Sequence, residues 1–526
     1  MGTDRTGGLM RAASLVSGAT ILSRLLGFVR DSLIAAYYGQ TAVVDQYNAA
    51  YVIPDTLYLL LVGGAISSAF VPVVSDYLVT DRPGEAERVV NTALNAVLVG
   101  LTPLVLLGVA LAPFLVRVVA IGFAKNPAAV AHTAALTRIM LVAVLFHAVN
   151  GVLVGHQYAR KSFWATAVGP LFYNVAIIAV GGLFGRSGGI AAFAWGVLVG
   201  AFVNFLFQWA GVRRLGFRYR WVLDLRHPGF TRILRLMVPV MLGVGLVQLN
   251  LLINQTFLAS LLPAGSINAL RLASRIMLTP VSLASSLAIA LLPNLTEVAA
   301  RRDFVQLRRL LSLGLRLVVF LTLPAAVGLL LVGHPLIALL FRHGRFTAAD
   351  VDRTARALAF YTIGTVAYGA VEVLVRGFYA LKNTVTPVVV SVFVLVLGFV
   401  LNWVLLGPMA EDGLALAYSL TGWINLALLL VLLHRALVWM EGWRILRTTV
   451  RTAIAAGVMA GGVVLAHRTL APWLDGPSSL PRLAALAVVV AVGAALFAWT
   501  ARRLHIEEFR LIRDRLRRRR APSLAR

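Results

Sequence analysis

Long apolar runs separated by short polar connections extend along the whole chain, and each run is long enough to cross a bilayer as a helix. The pattern predicts about fourteen transmembrane helices. The first six lie at roughly 9–38, 43–75, 89–118, 129–159, 163–184 and 188–212. The next six lie at roughly 230–262, 266–299, 305–332, 353–380, 384–408 and 412–439, and the last two at about 446–470 and 480–502. No connection between them is long enough to form a domain outside the membrane.

Residues of the first half recur in the second half at two nearly constant offsets. At an offset of 221, Val152-Leu153-Val154 recurs as Val373-Leu374-Val375 and Asn204 as Asn425; at an offset of 226, Gly39 matches Gly265 and Pro54 matches Pro280. Each copy contains six spans, which is an even number, so both copies begin on the same side of the membrane. The repeat is therefore parallel, and transporters built in this way bind substrate between the two halves.

The predicted fold is an all-α polytopic membrane protein with two six-helix lobes related by this parallel internal repeat. We assign residues 1–215 to an N-lobe with spans one to six, and residues 216–440 to a C-lobe with spans seven to twelve. Residues 441–503 carry two additional C-terminal spans, and residues 504–526 form a basic cytoplasmic tail.

The amino-acid composition is typical of a membrane protein and excludes several classes of functional site. Of the 526 residues, 60% are hydrophobic and 13% are charged, whereas soluble proteins average about a quarter charged residues. Cysteine is absent, which excludes disulfides, thiolate metal sites and cysteine nucleophiles. The first run follows Arg5 and Arg11 as a signal sequence would, but it is too long for one and contains Arg24. We therefore expect it to remain as a mature helix.

The formal net charge of +27 is placed unevenly between the two sides of the predicted helix array. Arg160-Lys161 and the arginines of 213–226, 301–309 and 435–451 lie in alternate loops, and the intervening loops are nearly uncharged. The positive-inside rule places both termini in the cytoplasm and explains the charge without a nucleic-acid partner. Loop 334–352 is a basic outer connection, for which we expect a short interfacial helix. The tail arginines from Arg513 to Arg520 are expected to contact anionic headgroups.

Arg24 and Arg30 lie inside the first apolar run. Arg24 is about fifteen residues into it, which at ~1.5 Å per residue is near mid-membrane. An arginine there costs at least ~2.5–3.5 kcal/mol, so it normally faces a bundle interior or an aqueous cavity. We expect both arginines to line a cavity for a large anionic substrate. Because they lie about 120° apart on a straight helix, aiming both into it needs a bend, for which Gly27 is the obvious place. The alternative for Arg30 is an ion pair with Asp31.

Span eight carries Arg271 and Arg275, four residues apart on one helical face. Arg275 approaches the depth of Arg24 from the opposite side, and converging guanidinium groups suit a diphosphate because they bind phosphate oxygens bidentately. In the repeat, Arg24 corresponds to Asn250 and Asp45 to Arg271, so the anion site is expected to be asymmetric. The alternative for each arginine is carbonyl capping or pairing with an acid, and for Arg271 also snorkelling to the interface.

Glu372 and Arg376 in span ten form an i,i+4 pair in the favourable order. One interpretation is an intrahelical ion pair that makes burial tolerable, and the other is a role in gating or coupling. The candidates for substrate binding or gating are thus Asp31, Asp45, Arg271, Asn250, Glu372 and Arg376. We expect no catalytic residues and no metal ligands.

Enzyme motifs do not occur in the sequence, which contains no HExxH, no P-loop and no GxSxG. We therefore expect a transporter rather than an enzyme. A cationic-drug exporter would favour acids over arginines in its cavity. A flippase for another polyprenyl-linked polysaccharide stays an alternative because it also handles a diphosphate, and a membrane glycosyltransferase is the alternative from another class.

At these residues the chain resembles the MurJ (MviN) family of lipid II flippases, in the multidrug/oligosaccharidyl-lipid/polysaccharide exporter superfamily. The similar stretches include Ser23 to Asp31, Asp45 followed by Ile53-Pro54, Ala273-Ser274-Arg275, and Arg376 to Thr384. The resemblance implies two six-helix lobes and a groove for the undecaprenyl tail on the last two helices. It implies alternating access that moves an undecaprenyl-diphosphate-linked disaccharide-pentapeptide from the inner to the outer leaflet of a bacterial cell membrane. It further implies that Arg24, Arg30 and Arg275 bind the diphosphate and that Asp45 is functional.

The resemblance also bears on energy coupling and partners. The sodium site of some relatives needs acids in spans seven and eleven, where this chain has Asn250, Asn254 and Asn402. We therefore expect no cofactor and no sodium coupling, and we expect the membrane potential to act on the charge of the cavity. Expected partners are lipid II or a related polyprenyl-diphosphate lipid, membrane lipids and cell-wall synthesis proteins.

Overall fold

A computed structural model describes residues 3–60, 69–437, 441–474, 476, 479–511 and 513. No strand occurs in this part of the chain. The helices of the first half are α1 (Thr3–Tyr38), α2 (Ala42–Tyr58), α3 (Val71–Val79), α4 (Pro83–Ala110), α5 (Ala112–Val119), α6 (Pro127–Ala159), α7 (Trp164–Phe184), α8 (Ala191–Arg214) and α9 (Pro228–Leu252). Those of the second half are α10 (Ser266–Ala300), α11 (Phe304–Phe341), α12 (Ala348–Thr362), α13 (Thr365–Ala380), α14 (Val385–Leu437), α15 (Gly442–Leu474) and α16 (Ser479–Arg503).

Ten helices in the described residues are long and apolar enough to cross a membrane, and α12 with α13, bent by 42°, makes an eleventh candidate. The predicted all-α, multi-pass membrane protein is thereby confirmed. Some predicted spans are divided: a short break separates α4 from α5, and α2 and α3 lie on either side of residues 61–68. Conversely, α14 covers two predicted spans, with non-helical backbone at Ala410. The count of fourteen stays a prediction.

The chain divides into two compact units, Met1–Asn268 with His343–Thr347, and Ala269–Arg342 with Ala348–Arg526. This division differs from the predicted lobes, because α9 belongs to the first unit. Most of the predicted tail, 514–526, and its arginines beyond Arg513 lie outside the described residues.

The first unit has a core in which α1, α2, α6, α7 and α8 bury apolar side chains such as Ile34, Met140 and Phe193. Glycines allow α8 to approach α7 closely: a Cβ added at Gly200 would lie 2.7 Å from the carbonyl oxygen of Tyr173. Close backbone approach through small residues is the usual packing of membrane helices. It fixes α7, which in turn holds α1.

The second unit has two apolar clusters. Leu311, Val373, Phe378 and Leu433 are buried where α11, α13 and α14 meet, together with residues of α10. The α15–α16 pair packs against α11 through a separate cluster that contains Met459 and Val489. The two C-terminal helices therefore have their own contact with α11.

The connection between α11 and α12 forms no interfacial helix, contrary to the expectation for loop 334–352. Residues 342–347 are non-helical, and 343–347 belong to the first unit, where the Arg345 N–H donates to the Ala36 carbonyl at 2.9 Å. Gly344 adopts φ +58, and a Cβ there would lie 2.2 Å from the Ala36 oxygen. The close contact with the end of α1 thus requires glycine and an irregular backbone.

Candidate functional site

The helix α1 carries Arg24 and Arg30 on different faces. It runs uninterrupted through Gly27, Arg24 is exposed, and Arg30 is only 7% exposed. The side-chain amide of Asn174 on α7 donates to the Ser23 hydroxyl at 3.2 Å, which fixes this part of α1 against α7. The arrangement matches the angular separation of about 120° expected on a straight helix. The helical backbone is continuous at Gly27, where a bend was expected to aim both groups into one cavity, and that bend stays a prediction.

Arg30 is paired with Asp31 inside the first unit. Its Nε and Nη2 donate to the same carboxylate oxygen at 3.1 and 3.0 Å, and both side chains are about nine-tenths buried. This ion pair is the alternative that the sequence left open for Arg30. In the conformation described, the Arg30 charge is neutralised by Asp31 inside the first unit.

A cavity of about 100 Å³ lies near this ion pair, within the first unit. Its polar lining includes Tyr51, Asp55, Tyr58, His147 and Tyr173. The His147 ring contacts the rings of Tyr58 and Tyr173, with centroids 4.9 and 5.4 Å apart. A space of this size accommodates a few water molecules. It is too small for a lipid headgroup.

Asp45 binds the beginning of α10. The side chain is 3% exposed, and its two oxygens accept hydrogen bonds from the N–H groups of Gly265 at 2.6 Å and Asn268 at 2.9 Å. Asn48 adds a side-chain bond to Asn268 at 3.1 Å. A carboxylate is favoured there because the first N–H groups of a helix are unpaired and carry partial positive charge. In this conformation the Asp45 side chain therefore links α2 to the start of α10.

The repeat counterpart of Arg24, Asn250, is half-buried near the end of α9. It is followed by a π-helical turn, Ile253–Phe257, in which Asn254 is fully buried. Turns of this kind occur frequently at functional sites. Asn254, Gln255 and Thr256 interrupt the apolar run there, but hydropathy alone does not indicate a π-turn.

Arg271 and Arg275 occupy one stripe of α10 in the second unit, as the spacing predicts. Both are half-buried, whereas Leu272, Ala273 and Ile276 beside them are buried. Arg24 lies in the first unit and Arg275 in the second. Arg24 is thus exposed on α1 of the first unit, and Arg275 is half-buried on α10 of the second.

Glu372 and Arg376 form the predicted ion pair along α13, at 2.5 Å. The Ser285 hydroxyl of α10 also donates to the Glu372 carboxylate at 3.0 Å. Both charged side chains are partly accessible. Glu372 therefore links α13 to α10, and both charged groups of the pair stay partly accessible within the second unit.

Two ion pairs that the sequence analysis missed join α12 to the middle of α14. Arg353 binds Glu411 at 2.6 Å and Arg356 binds Asp412 at 3.3 Å. The two acids directly follow Ala410, where α14 is interrupted. A signal was available, since both arginines and both acids fall on the same predicted side of the membrane. No group of three or more histidine, aspartate or glutamate residues suited to a metal occurs in the part of the chain described.

Comparison with known proteins agrees with this architecture. The family model described as "Lipid II flippase MurJ" matches residues 34–484. A "Lipid II flippase MurJ" of Burkholderia cenocepacia is 34% identical over 463 residues, covering 86% of this chain and 89% of the relative. A "Probable lipid II flippase MurJ" of Rhizobium meliloti is 30% identical and covers 93% of each chain.

Solved structures show the same fold. A structure described as "Lipid II flippase MurJ, inward closed conformation" superposes with a TM-score of 0.75 at 24% identity, over 93% of this chain and 99% of that one. An inward-facing multidrug resistance transporter of the MATE family gives a TM-score of 0.67 at 13% identity, over 80% and 95%. The sequence relatives and the family match together show that this chain belongs to the MurJ family of lipid II flippases.

Proposed function

We propose that this protein moves lipid II from the cytoplasmic to the outer leaflet of a bacterial plasma membrane by alternating access. The observation that carries the proposal is the lipid II flippase family match over residues 34–484. The two arginines, Arg24 on α1 and Arg275 on α10, suit a ligand that carries a diphosphate. The family is one of transporters, in agreement with the prediction that the chain is not an enzyme.

The membrane arrangement proposed for this function has fourteen spans, in two six-helix lobes related by the parallel repeat. The last two spans, on α15 and α16, are additional. Both termini are cytoplasmic, because the basic loops and the basic C-terminal segment then lie on one side. Substrate would bind between the lobes, as in other transporters built from such repeats.

Arg24 and Arg275 are proposed to bind the diphosphate directly. Arg30 would join them only after its pair with Asp31 rearranges, because the guanidinium is buried against that carboxylate. Asp45 is assigned to gating, since its two hydrogen bonds hold the start of α10. Arg271, Asn250 and the Glu372–Arg376 pair are the further candidates for gating or substrate contact.

The proposed energy source is the membrane potential, without a cofactor and without sodium. The potential would act on the net charge of the cavity, which is worth ~2.3 kcal/mol per charge per 100 mV. Asn250, Asn254 and Asn402 supply no carboxylate for sodium. Cell-wall synthesis proteins are the further partners proposed.

The test is a leaflet-accessibility assay for lipid II in cells depleted of their own flippase. Re-supply with this chain should restore labelling of lipid II at the outer surface. Unrestored labelling despite normal membrane insertion would contradict the proposal. Transport of a different polyprenyl-linked glycan in the same assay would support the alternative, a polysaccharide flippase that handles the same diphosphate chemistry.

A further inference from the structure

The chain reverses direction directly after α16 and folds back on the second unit. Ile506 N–H donates to the Ala501 carbonyl at 3.1 Å and His505 N–H to the Arg502 carbonyl at 3.2 Å. His505 adopts φ +52. This bonding pattern is the Schellman ending of a helix, here with histidine where glycine is usual. It directs residues 506–511 back towards α11 and α15.

Two kinds of contact hold the returning segment. Ile506 is buried with Phe320, Ala455 and Ala501, and Phe509 packs against the same cluster. Arg316 of α11 binds Glu507 at 2.9 Å and the fully buried Glu508 at 2.8 Å. The acids of the segment therefore face α11, and its arginines are left on the other side.

Those arginines surround a cavity of about 670 Å³ at the end of α16. Arg502, Arg503, Arg510 and Arg513 line it together with Trp499 and Phe509. Its described lining includes no carboxylate. The neighbouring cavity of about 420 Å³ differs in this respect, because Asp303 and Glu441 line it beside Arg309, Arg316 and Arg444. The larger cavity thus has one sign of charge, and its volume is within the range of ligand pockets.

The position of this cavity is that of a membrane–water boundary. Trp499 is 56% exposed, and the Arg503 guanidinium stacks on it at 5.4 Å. Tryptophan at the end of a membrane helix marks the headgroup level. Preceding residues of α16 such as Leu483, Val488 and Val490 are exposed and apolar, as lipid-facing residues are. A ligand in the cavity would therefore have its polar end among the arginines and its apolar chains along α16.

We propose that this cavity, formed by the end of α16 together with His505, Ile506, Phe509, Arg510 and Arg513, binds the phosphate headgroup of an anionic membrane phospholipid. Two or more guanidinium groups bind the phosphate oxygens bidentately, and the acyl chains lie on the exposed face of α16. On the orientation proposed above, the lipid belongs to the cytoplasmic leaflet. The site does not depend on which substrate the protein transports.

The test compares two double variants of the full chain in nanodiscs of phosphatidylcholine with phosphatidylglycerol. Arg502→Gln with Arg510→Gln removes two charges from the cavity. Arg301→Gln with Arg302→Gln removes two exposed charges at the end of α10 in the same unit. Phospholipid retained after transfer to detergent is counted by native mass spectrometry. We expect the cavity variant to retain less phosphatidylglycerol, by roughly five-fold per arginine, and the control variant to retain the wild-type amount.

Equal retention by the two variants, or equal retention of phosphatidylcholine and phosphatidylglycerol by the wild type, would overturn the proposal. Displacement of phosphatidylglycerol by millimolar inorganic phosphate would assign the site to a free anion instead. A photoreactive phosphatidylglycerol on the unaltered protein supplies a second measurement. Cross-links mapped to residues 499–511 support the site, and cross-links confined to other segments contradict it, even if the cavity variant fails to fold.

Discussion

At the scale of single residues, two arginines about 120° apart around α1 have opposite surroundings. Arg24 is exposed, whereas Arg30 is buried with Asp31 at 3.0 Å. A buried ion pair contributes little net stability, but the loss of one partner leaves an uncompensated charge. Asp31 is thus expected to contribute to stability because it neutralises the buried charge of Arg30.

We predict that Asp31→Asn destabilises the protein by about 3–5 kcal/mol, because the Arg30 charge would stay buried without its counter-charge. The measurement is the free energy of unfolding of the purified protein in detergent. Asp76→Asn is the matched control, since Asp76 binds Arg232 at 2.8 Å with both side chains more than half exposed. It should cost under about 1 kcal/mol. A similar small cost for both substitutions would show that the Arg30–Asp31 pair is not buried.

The contact of Glu507 with Arg316 predicts a dependence of stability on pH. The hydrogen bond from Arg316 lowers the pKa of the Glu507 carboxyl below its usual 4.5. A carboxyl with a lowered pKa stabilises the folded state above its unfolded pKa, and this stabilisation is lost as the pH falls through the folded pKa. The side chain is 71% exposed, so the effect is small.

We expect Glu507→Gln to be less stable than the wild type at pH 7. The difference should disappear as the pH falls through the lowered pKa of Glu507, because the carboxyl is then protonated in both the folded and the unfolded state. Thermal unfolding of both proteins across this pH range is the measurement. Glu297→Gln, at an exposed pair with Arg301, shows the background effect of removing a carboxylate. A difference between wild type and Glu507→Gln that persists unchanged at low pH would contradict the linkage.

At the scale of elements, α14 is interrupted in a way that the apolar pattern does not show. Ala410 has φ 50 and ψ −129, a region that is essentially restricted to glycine and costs about 1–3 kcal/mol for other residues. The adjacent pairs of Arg353 with Glu411 and Arg356 with Asp412 hold the interruption in place.

We predict that Ala410→Gly stabilises the protein by about 1 kcal/mol or more, because glycine adopts this backbone conformation without strain. Ala427→Gly is the control in the same helix, at an exposed position with helical backbone. It should destabilise by about 1 kcal/mol through lost helix propensity. The comparison is the unfolding free energy of the two variants; the same sign for both would show that Ala410 is not strained.

At the scale of the whole molecule, the proposed function requires an arginine from each unit. We predict that Arg24→Ala and Arg275→Ala each abolish the appearance of lipid II in the outer leaflet while membrane insertion stays at the wild-type level. Arg301→Ala, which removes an exposed charge at the end of α10, should transport normally. Leaflet labelling and growth of a flippase-depleted strain are the measurements. Normal growth with Arg24→Ala would remove that residue from the proposed site.

The positions of most helices can be predicted from the sequence, because a membrane permits few kinds of backbone structure. Apolar runs must form helices, since unpaired backbone groups are too costly in lipid. The i,i+4 spacing likewise sufficed for the Glu372–Arg376 pair, which is local to α13. The same spacing placed Arg271 and Arg275 on one stripe of α10.

Contacts between residues distant in sequence could not be predicted from hydropathy and helical periodicity. Asp45 caps a helix that begins more than two hundred residues later, and Arg316 binds Glu507 and Glu508 after five intervening helices. The partner of Arg30 was among the sequence alternatives, but only the packing of α1 against α2 and α7 decided between cavity and ion pair. Hydropathy and helical periodicity specify which residues form helices and which share a face. Which charges are buried together depends on how those helices pack, and that is a property of the tertiary structure alone.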